Sequence, residues 1–115
     1  MKVAREFTFD AAHFILDEKG SPCEEPHGHT YRVRAVVEGP VGKDGMVIDF
    51  RDIKNAFNEC VAPWLDHKDL NKVMANPTAE NIALWILDAL RPAMKPAKLV
   101  SVRVWEGSGK WAEAP

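Results

Sequence analysis

A chain of 115 residues, 46% hydrophobic and 28% charged, has the composition of an ordinary globular domain. It is long enough for one modest core and too short for two, so a single domain over 1–115 is expected. The formal net charge of −2 removes any bulk electrostatic reason to expect nucleic acid or an anionic membrane as partner, and no apolar stretch approaches the ~20 residues of a membrane span.

The N-terminal run Met1-Lys2-Val3-Ala4-Arg5-Glu6 is charged and alternating, unlike a signal peptide. Alternation continues to residue 14: Val3, Phe7, Phe9 and Ala11 share one face with His13, and Glu6, Thr8 and Asp10 occupy the other. Residues 16–26, with Gly20 and two prolines among acidic and small residues, read as a loop. A second strand is expected from His27 to Glu38, with Tyr31, Val33, Ala35 and Val37 on the face of His29. After the turn residues Gly39 to Gly45, Met46-Val47-Ile48 is expected to add a short strand to this meander. Asp49 is a good N-cap for a helix whose apolar face is Ile53, Ala56, Phe57, Cys60, Val61, Trp64 and Leu65, ended or kinked by Pro63. Thr78 can cap a second helix that turns Ile82, Trp85, Ile86, Ala89 and Leu90 inward up to Pro92. A strand from Leu99 to Glu106 with Val100, Val102 and Val104 on one face, and a short last one around Trp111, complete the order. That order suits an α+β sandwich, an antiparallel sheet with two helices on one face.

Chemistry concentrates in one segment, Cys23-Glu24-Glu25-Pro26-His27-Gly28-His29, with His13 upstream. On a strand, His27 and His29 have Cα atoms roughly 6.6 Å apart on the same face. His13 lies on the inward face of the preceding strand, so three imidazoles can converge. Three protein ligands with one open position is the pattern of a catalytic zinc, although ligand type alone also admits iron or copper. Gly28 either makes room for substrate or backbone or is an ordinary turn residue.

Cys23 and Cys60 are the only two cysteines, which points to a reducing, cytoplasmic setting in which a Cys23–Cys60 disulfide is not expected. Cys60 falls on an apolar helix face, whereas Cys23 sits between Pro22 and two glutamates. Cys23 is therefore a fourth metal ligand closing a structural site, or a thiolate base or nucleophile beside the metal. Asp66-His67 is the remaining titrating pair, either a proton relay or part of a solvated cluster with Lys68 and Asp69. Glu106, at the end of a valine-rich strand before Gly107-Ser108-Gly109, could accept two parallel N–H bonds from a guanidine-like edge such as that of a pterin, a guanine or an arginine.

Taken together, Phe9-Asp10-Ala11-Ala12-His13, Cys23-x-x-x-His27-Gly28-His29, Asp66-His67, Pro77-Thr78-Ala79-Glu80-Asn81 and Trp105-Glu106 resemble the family of 6-pyruvoyl and 6-carboxytetrahydropterin synthases over the whole chain. The resemblance implies the tunnelling fold, a four-stranded antiparallel sheet with two helices. It implies a homo-oligomer, commonly a hexamer of two stacked trimers with sites at subunit interfaces. It gives zinc to His13, His27 and His29, proton acceptance to Cys23, an acid/base relay to Asp66 and His67, and the pterin ring to Glu106, with Thr78 assisting. The compact gap between Cys23 and His27 resembles the bacterial branch. That branch converts 7,8-dihydroneopterin triphosphate to 6-carboxytetrahydropterin for queuosine and other 7-deazaguanine bases. Glu24, three residues before His27, matches relatives that cleave the same substrate to 6-hydroxymethyl-7,8-dihydropterin for folate. Cys23 and Glu24 are thus rival bases, unless Glu24 is a solvated loop carboxylate. A 6-pyruvoyl synthase, or a non-catalytic domain with a structural zinc closed by Cys23, are the other readings. Lys110, Arg32 and Arg34 are unranked candidates for the triphosphate.

Overall fold

Strict alternation builds the first half of the molecule. The structure, a computed structural model, describes residues 1–15 and 27–115. Strands β1 (Lys2–His13) and β2 (His27–Glu38) pair antiparallel without a break, from Lys2 opposite Glu38 to His13 opposite His27. With period two, Phe9, Ala11 and His13 on β1 and Tyr31, Val33, Ala35 and Val37 on β2 turn to one face and are buried there.

Helix α1 (Phe50–Cys60) starts where Asp49 accepts from Arg51 N at 2.8 Å and buries Ile53, Ala56 and Phe57. Pro63 does break the helical run: a separate turn, α2 (Ala62–Leu65), follows with the proline in its first positions, where a missing N–H costs no hydrogen bond. Trp64 does not follow its expected face and is half-exposed, because this restart rotates it away from the core. A two-residue strand, β3 (Lys68–Asp69), then runs parallel beside Ala11 and Ala12 of β1. Helix α3 (Ala79–Leu90) is capped by Thr78 Oγ1 accepting from Asn81 N at 3.1 Å, and buries Ile82, Ala83, Ile86, Leu87 and Leu90. Trp85 and Ala89 are only partly buried at its margin.

Strand β4 (Lys98–Glu106) lies antiparallel to β2, and β5 (Trp111–Ala114) antiparallel to β4. An irregularity at Val36 and Val37 lets Leu99 and Val102, three residues apart, both enter the core, while Val100 is half-buried and leaves the face expected for it. From Val102 onward alternation resumes, and Val104 is buried on the same side as Glu106.

The α+β class, with helices covering one sheet face, is as expected. The sheet differs in having five strands in the order β3-β1-β2-β4-β5, mixed rather than wholly antiparallel. Met46-Val47-Ile48 is not a strand. Gly42 N donates to Met46 O at 2.8 Å and Met46 N to Asp44 Oδ1 at 3.0 Å, so a local turn takes the backbone groups a ladder would need. Val47 and Ile48 contribute side chains to the core margin instead. Among the described residues, no helix is long and apolar enough to cross a membrane.

Candidate active site and metal centre

The sheet register alone brings three histidines together. His13 faces His27 across the β1–β2 ladder, and His29 follows two residues later on the same face of β2. His13 Nε2 lies 3.1 Å from His27 Nε2. Glu106, opposite Tyr31 at the end of β4, points to the same place, with Oε1 at 3.0 Å from His29 Nε2 and 3.8 Å from His13 Nε2. One ligand atom from each of these four side chains lies within 4.8 Å of the others, an arrangement that can hold a metal ion.

Two observations bear on whether the donors fit an ion. For bonds of 2.0–2.2 Å the edge of a coordination tetrahedron is roughly 3.3 Å, and the separations of 3.0, 3.1 and 3.8 Å straddle it. In addition, His29 Nε2 is buried with no hydrogen bond, although Glu106 Oε1 is at hydrogen-bond distance. At 3.0 Å the pair makes no hydrogen bond, which suits two ligands of a common ion. Burial, reinforced by the neighbouring His13 and His27, lowers the His29 pKa below 6.5 against the opposing pull of Glu106. His29 is therefore a neutral ring with a lone pair at neutral pH, and its contact with Glu106 is not an ion pair.

His13 is the most constrained of the set, at 1% exposure. Its Nδ1 is 2.8 Å from the carbonyl oxygen of Pro77, which can only accept, so Nδ1 carries the proton and Nε2 offers its lone pair to the site. The Tyr31 hydroxyl lies 3.1 Å from the same Nδ1. Immediately after His13, Phe14 gives its N–H to Asn71 Oδ1 at 2.8 Å and takes Asn71 Nδ2 at 3.0 Å on its carbonyl, which pins the strand end. None of Pro77 (as a carbonyl), Tyr31 and Asn71 was singled out from sequence for this part. Tyr31 carried a usable signal, since it sits two residues beyond His29 on the same face.

Asp66 and His67 occupy a different setting. Asp66 Oδ1 is 3.0 Å from His67 Nδ1 and also accepts from Asp10 N at 3.2 Å, while His67 N donates to Asp10 O at 2.6 Å. His67 has φ of 58°, a left-handed conformation that costs an L-residue about 1–2 kcal/mol. Its side chain is 78% exposed. A groove of about 660 Å³ beside β1 and β2 is lined by both His29 and His67, together with Asp10, Gly28, Thr30 and Lys68. The structure thus brings His67 to a groove that His29 also borders.

Other candidates fall as follows. Cys23 and Glu24 lie outside the described residues. Thr78 holds the N-terminus of α3 one residue after the carbonyl that fixes His13. Lys110 Nζ is 3.9 Å from Glu106 Oε1. Arg32 and Arg34 are on the opposite sheet face, with Arg34 Nε 2.8 Å from Glu6 Oε2 and the Arg32 guanidinium 3.9 Å above the Trp105 ring. A Cβ at Gly28 would meet nothing closer than Ala11 O at 3.8 Å, so no backbone approach demands glycine there.

Comparison with known proteins bears on the whole chain. The family model described as 6-pyruvoyl tetrahydropterin synthase matches residues 2–115. The chain is 45% identical to a dihydroneopterin monophosphate aldolase of Pyrococcus furiosus, over 88% of this chain and 85% of that one. It is 43% identical to a putative 6-carboxy-5,6,7,8-tetrahydropterin synthase of Archaeoglobus fulgidus, over 92% and 88%. The 6-pyruvoyl tetrahydropterin synthase structure of Caenorhabditis elegans superposes with a TM-score of 0.87 at 26% identity, covering 99% of this chain and 94% of the other. By sequence and by fold, the chain belongs to the 6-pyruvoyl tetrahydropterin synthase family.

Proposed function

We propose that this protein is a zinc-dependent lyase that cleaves the side chain of a dihydropterin phosphate ester, and that its reaction is the conversion of 7,8-dihydroneopterin triphosphate to 6-carboxy-5,6,7,8-tetrahydropterin, acetaldehyde and triphosphate. The observation that carries the metal part is the convergence of His13, His27 and His29 around one point, with the His29 nitrogen buried and unbonded. Family membership and relatives named for 6-carboxytetrahydropterin synthesis support the pterin part.

In this reading His13, His27 and His29 hold the ion, with Pro77 O fixing the tautomer of His13. Zinc, when bound, supplies a Lewis acid that lowers the pKa of the substrate's side-chain hydroxyls. Glu106 accepts paired N–H bonds from the guanidine-like edge of the ring, and Thr78 assists at the same end. Cys23, as thiolate, takes a proton from the side chain, and His67, oriented by Asp66, gives or relays one on the other side. Lys110, Arg32 and Arg34 are the unranked basic candidates for the phosphates. We further infer a cytoplasmic homo-oligomer, a hexamer of two trimers. The 78% exposure of His67 supports an assembly in which a second chain covers the relay pair.

A second reading is favoured by a specific finding, the 45% identity to a dihydroneopterin monophosphate aldolase. In it Glu24 is the base, and the product is 6-hydroxymethyl-7,8-dihydropterin. The two readings share the metal, the ring anchor and the bond cleaved, and they differ in which neighbour of His27 takes the proton. Incubation with the mono- and triphosphates of dihydroneopterin, with products identified by mass, separates them. The first reading requires 6-carboxytetrahydropterin from the triphosphate and its loss in Cys23→Ala. 6-Hydroxymethyl-7,8-dihydropterin that persists in Cys23→Ala and vanishes in Glu24→Ala would give the second.

A further inference from the structure

Glu106 has two claims on one carboxylate. The pterin reading gives it the ring edge, yet its Oε1 lies 3.0 Å from His29 Nε2 and 3.8 Å from His13 Nε2. A carboxylate beside an imidazole would ordinarily accept the ring N–H, because a buried donor left unpaired costs about 1–3 kcal/mol. Here His29 Nε2 is buried and makes no such bond. Two donor atoms 3.0 Å apart that make no hydrogen bond, at about the edge length of a coordination polyhedron, suit a shared third atom. The carboxylate is then a ligand in waiting.

The backbone around Glu106 is held on both sides. Glu106 N donates to Lys110 O at 3.2 Å, and Gly107 N donates to Thr30 O at 3.2 Å across to β2. Gly107 and Gly109, with φ of 67° and 82°, close the tight turn that brings Lys110 back beside the carboxylate. The side chain is 19% exposed, so it borders both the buried histidines and the open rim, where Lys110 Nζ stands 3.9 Å away.

We propose that Glu106 is a displaceable fourth metal ligand. It closes the three-histidine site in the resting protein and leaves when the guanidine-like edge of an incoming pterin takes its carboxylate. This rests on the pterin reading for the displacement, though not for the ligation. A closed four-donor site keeps the ion inert toward solvent and stray anions. Recognition of the correct ring then opens one coordination position at the moment the substrate's hydroxyls arrive. Because one carboxylate serves both partners, ring binding and metal binding must oppose one another by the same factor.

The test measures zinc affinity by chelator competition for the wild type, Glu106→Gln and Glu106→Ala, each with and without unsubstituted pterin, which lacks the side-chain hydroxyls. Circular dichroism confirms folding. The expected result is a loss of about 10-fold or more in zinc affinity in both variants without pterin. In the wild type, saturating pterin weakens zinc by a comparable factor, and zinc weakens pterin equally; the variants show no such coupling. Zinc affinity within 2-fold of wild type in both variants overturns ligation. Pterin that binds the wild type while leaving zinc affinity unchanged, or tightening it, overturns displacement. Should the variants fail to fold, the wild-type coupling decides alone. If pterin does not bind at all, the pterin reading fails and displacement with it, an outcome distinct from binding without coupling.

Discussion

The two histidine-bearing corners of this protein are built by opposite means. His13, His27 and His29 are placed by an unbroken twelve-residue ladder, with the ring of His13 fixed in its tautomer by Pro77 O and buried to 1% exposure. His67 has a left-handed backbone conformation next to a two-residue strand, held by its own N–H on Asp10 O while Asp66 Oδ1 takes Asp10 N, and is exposed over most of its side chain. The first corner is preorganised by the core and can bind within one chain. The second is set by local strain and opens to the groove, the pattern of a group that must meet a mobile substrate or a second chain. In the proposed roles, a ligand needs fixed geometry, whereas a proton carrier needs access.

That contrast can be broken at several points. The heaviest loss should follow His27→Ala or His29→Ala. Removing one of three imidazoles should weaken metal binding by more than about 100-fold, beyond the range of outer-contact mutations, and abolish turnover. Equilibrium dialysis against zinc measures the first effect. His67→Ala should do the reverse, lowering kcat by about 10²- to 10⁴-fold while leaving metal affinity within 2-fold of wild type. Parallel loss of metal in that variant would erase the distinction between the corners. Tyr31→Phe keeps the stacking on Phe9, at 4.9 Å between ring centres, and deletes only the hydroxyl near His13. Metal affinity should fall about 10-fold; an unchanged value would reduce Tyr31 to packing. Thr78→Ala should cost about 1 kcal/mol in thermal or denaturant unfolding through the lost cap, and Thr78→Ser should restore it.

The last effect is a shape rather than a step. His29 has a folded pKa below its ordinary 6.5. The unfolded state of the metal-free protein therefore binds more protons in the window just under that value. Stability should be full above about pH 6.5 and decline as pH falls from there toward the folded pKa. Replacing His29 with Gln should flatten that part of the profile, as followed by urea unfolding at stepped pH.

Much of this was legible in the chain, for identifiable reasons. The β2 limits, the Asp49 and Thr78 caps and the shared face of the three histidines follow from period, cap chemistry and alternation, all local properties. Met46-Val47-Ile48 looked like a strand because its residues are apolar, but strand formation needs a partner, and the turn at Gly42 and Gly45 consumed the necessary backbone groups. The parallel strand Lys68–Asp69 has no signal of its own, being two polar residues recruited by β1. Likewise, alternation already sets Arg32 and Arg34 on the sheet face opposite His29, where the ladder places them. The approach of Glu106 to the histidines was not legible, since it depends on how β4 registers against β2 around a bulge.

The central claim is metal-dependent cleavage of a dihydropterin side chain, and one measurement reaches it most directly. Purified protein is stripped with a chelator, reloaded with zinc, and given the mono- and the triphosphate of 7,8-dihydroneopterin separately at each stage, with pterin products quantified by mass. The account predicts side-chain cleavage by the loaded protein, its loss on stripping, and recovery on reloading. Cleavage that persists undiminished after the metal is gone, or no cleavage by fully loaded protein of either the mono- or the triphosphate, would contradict it.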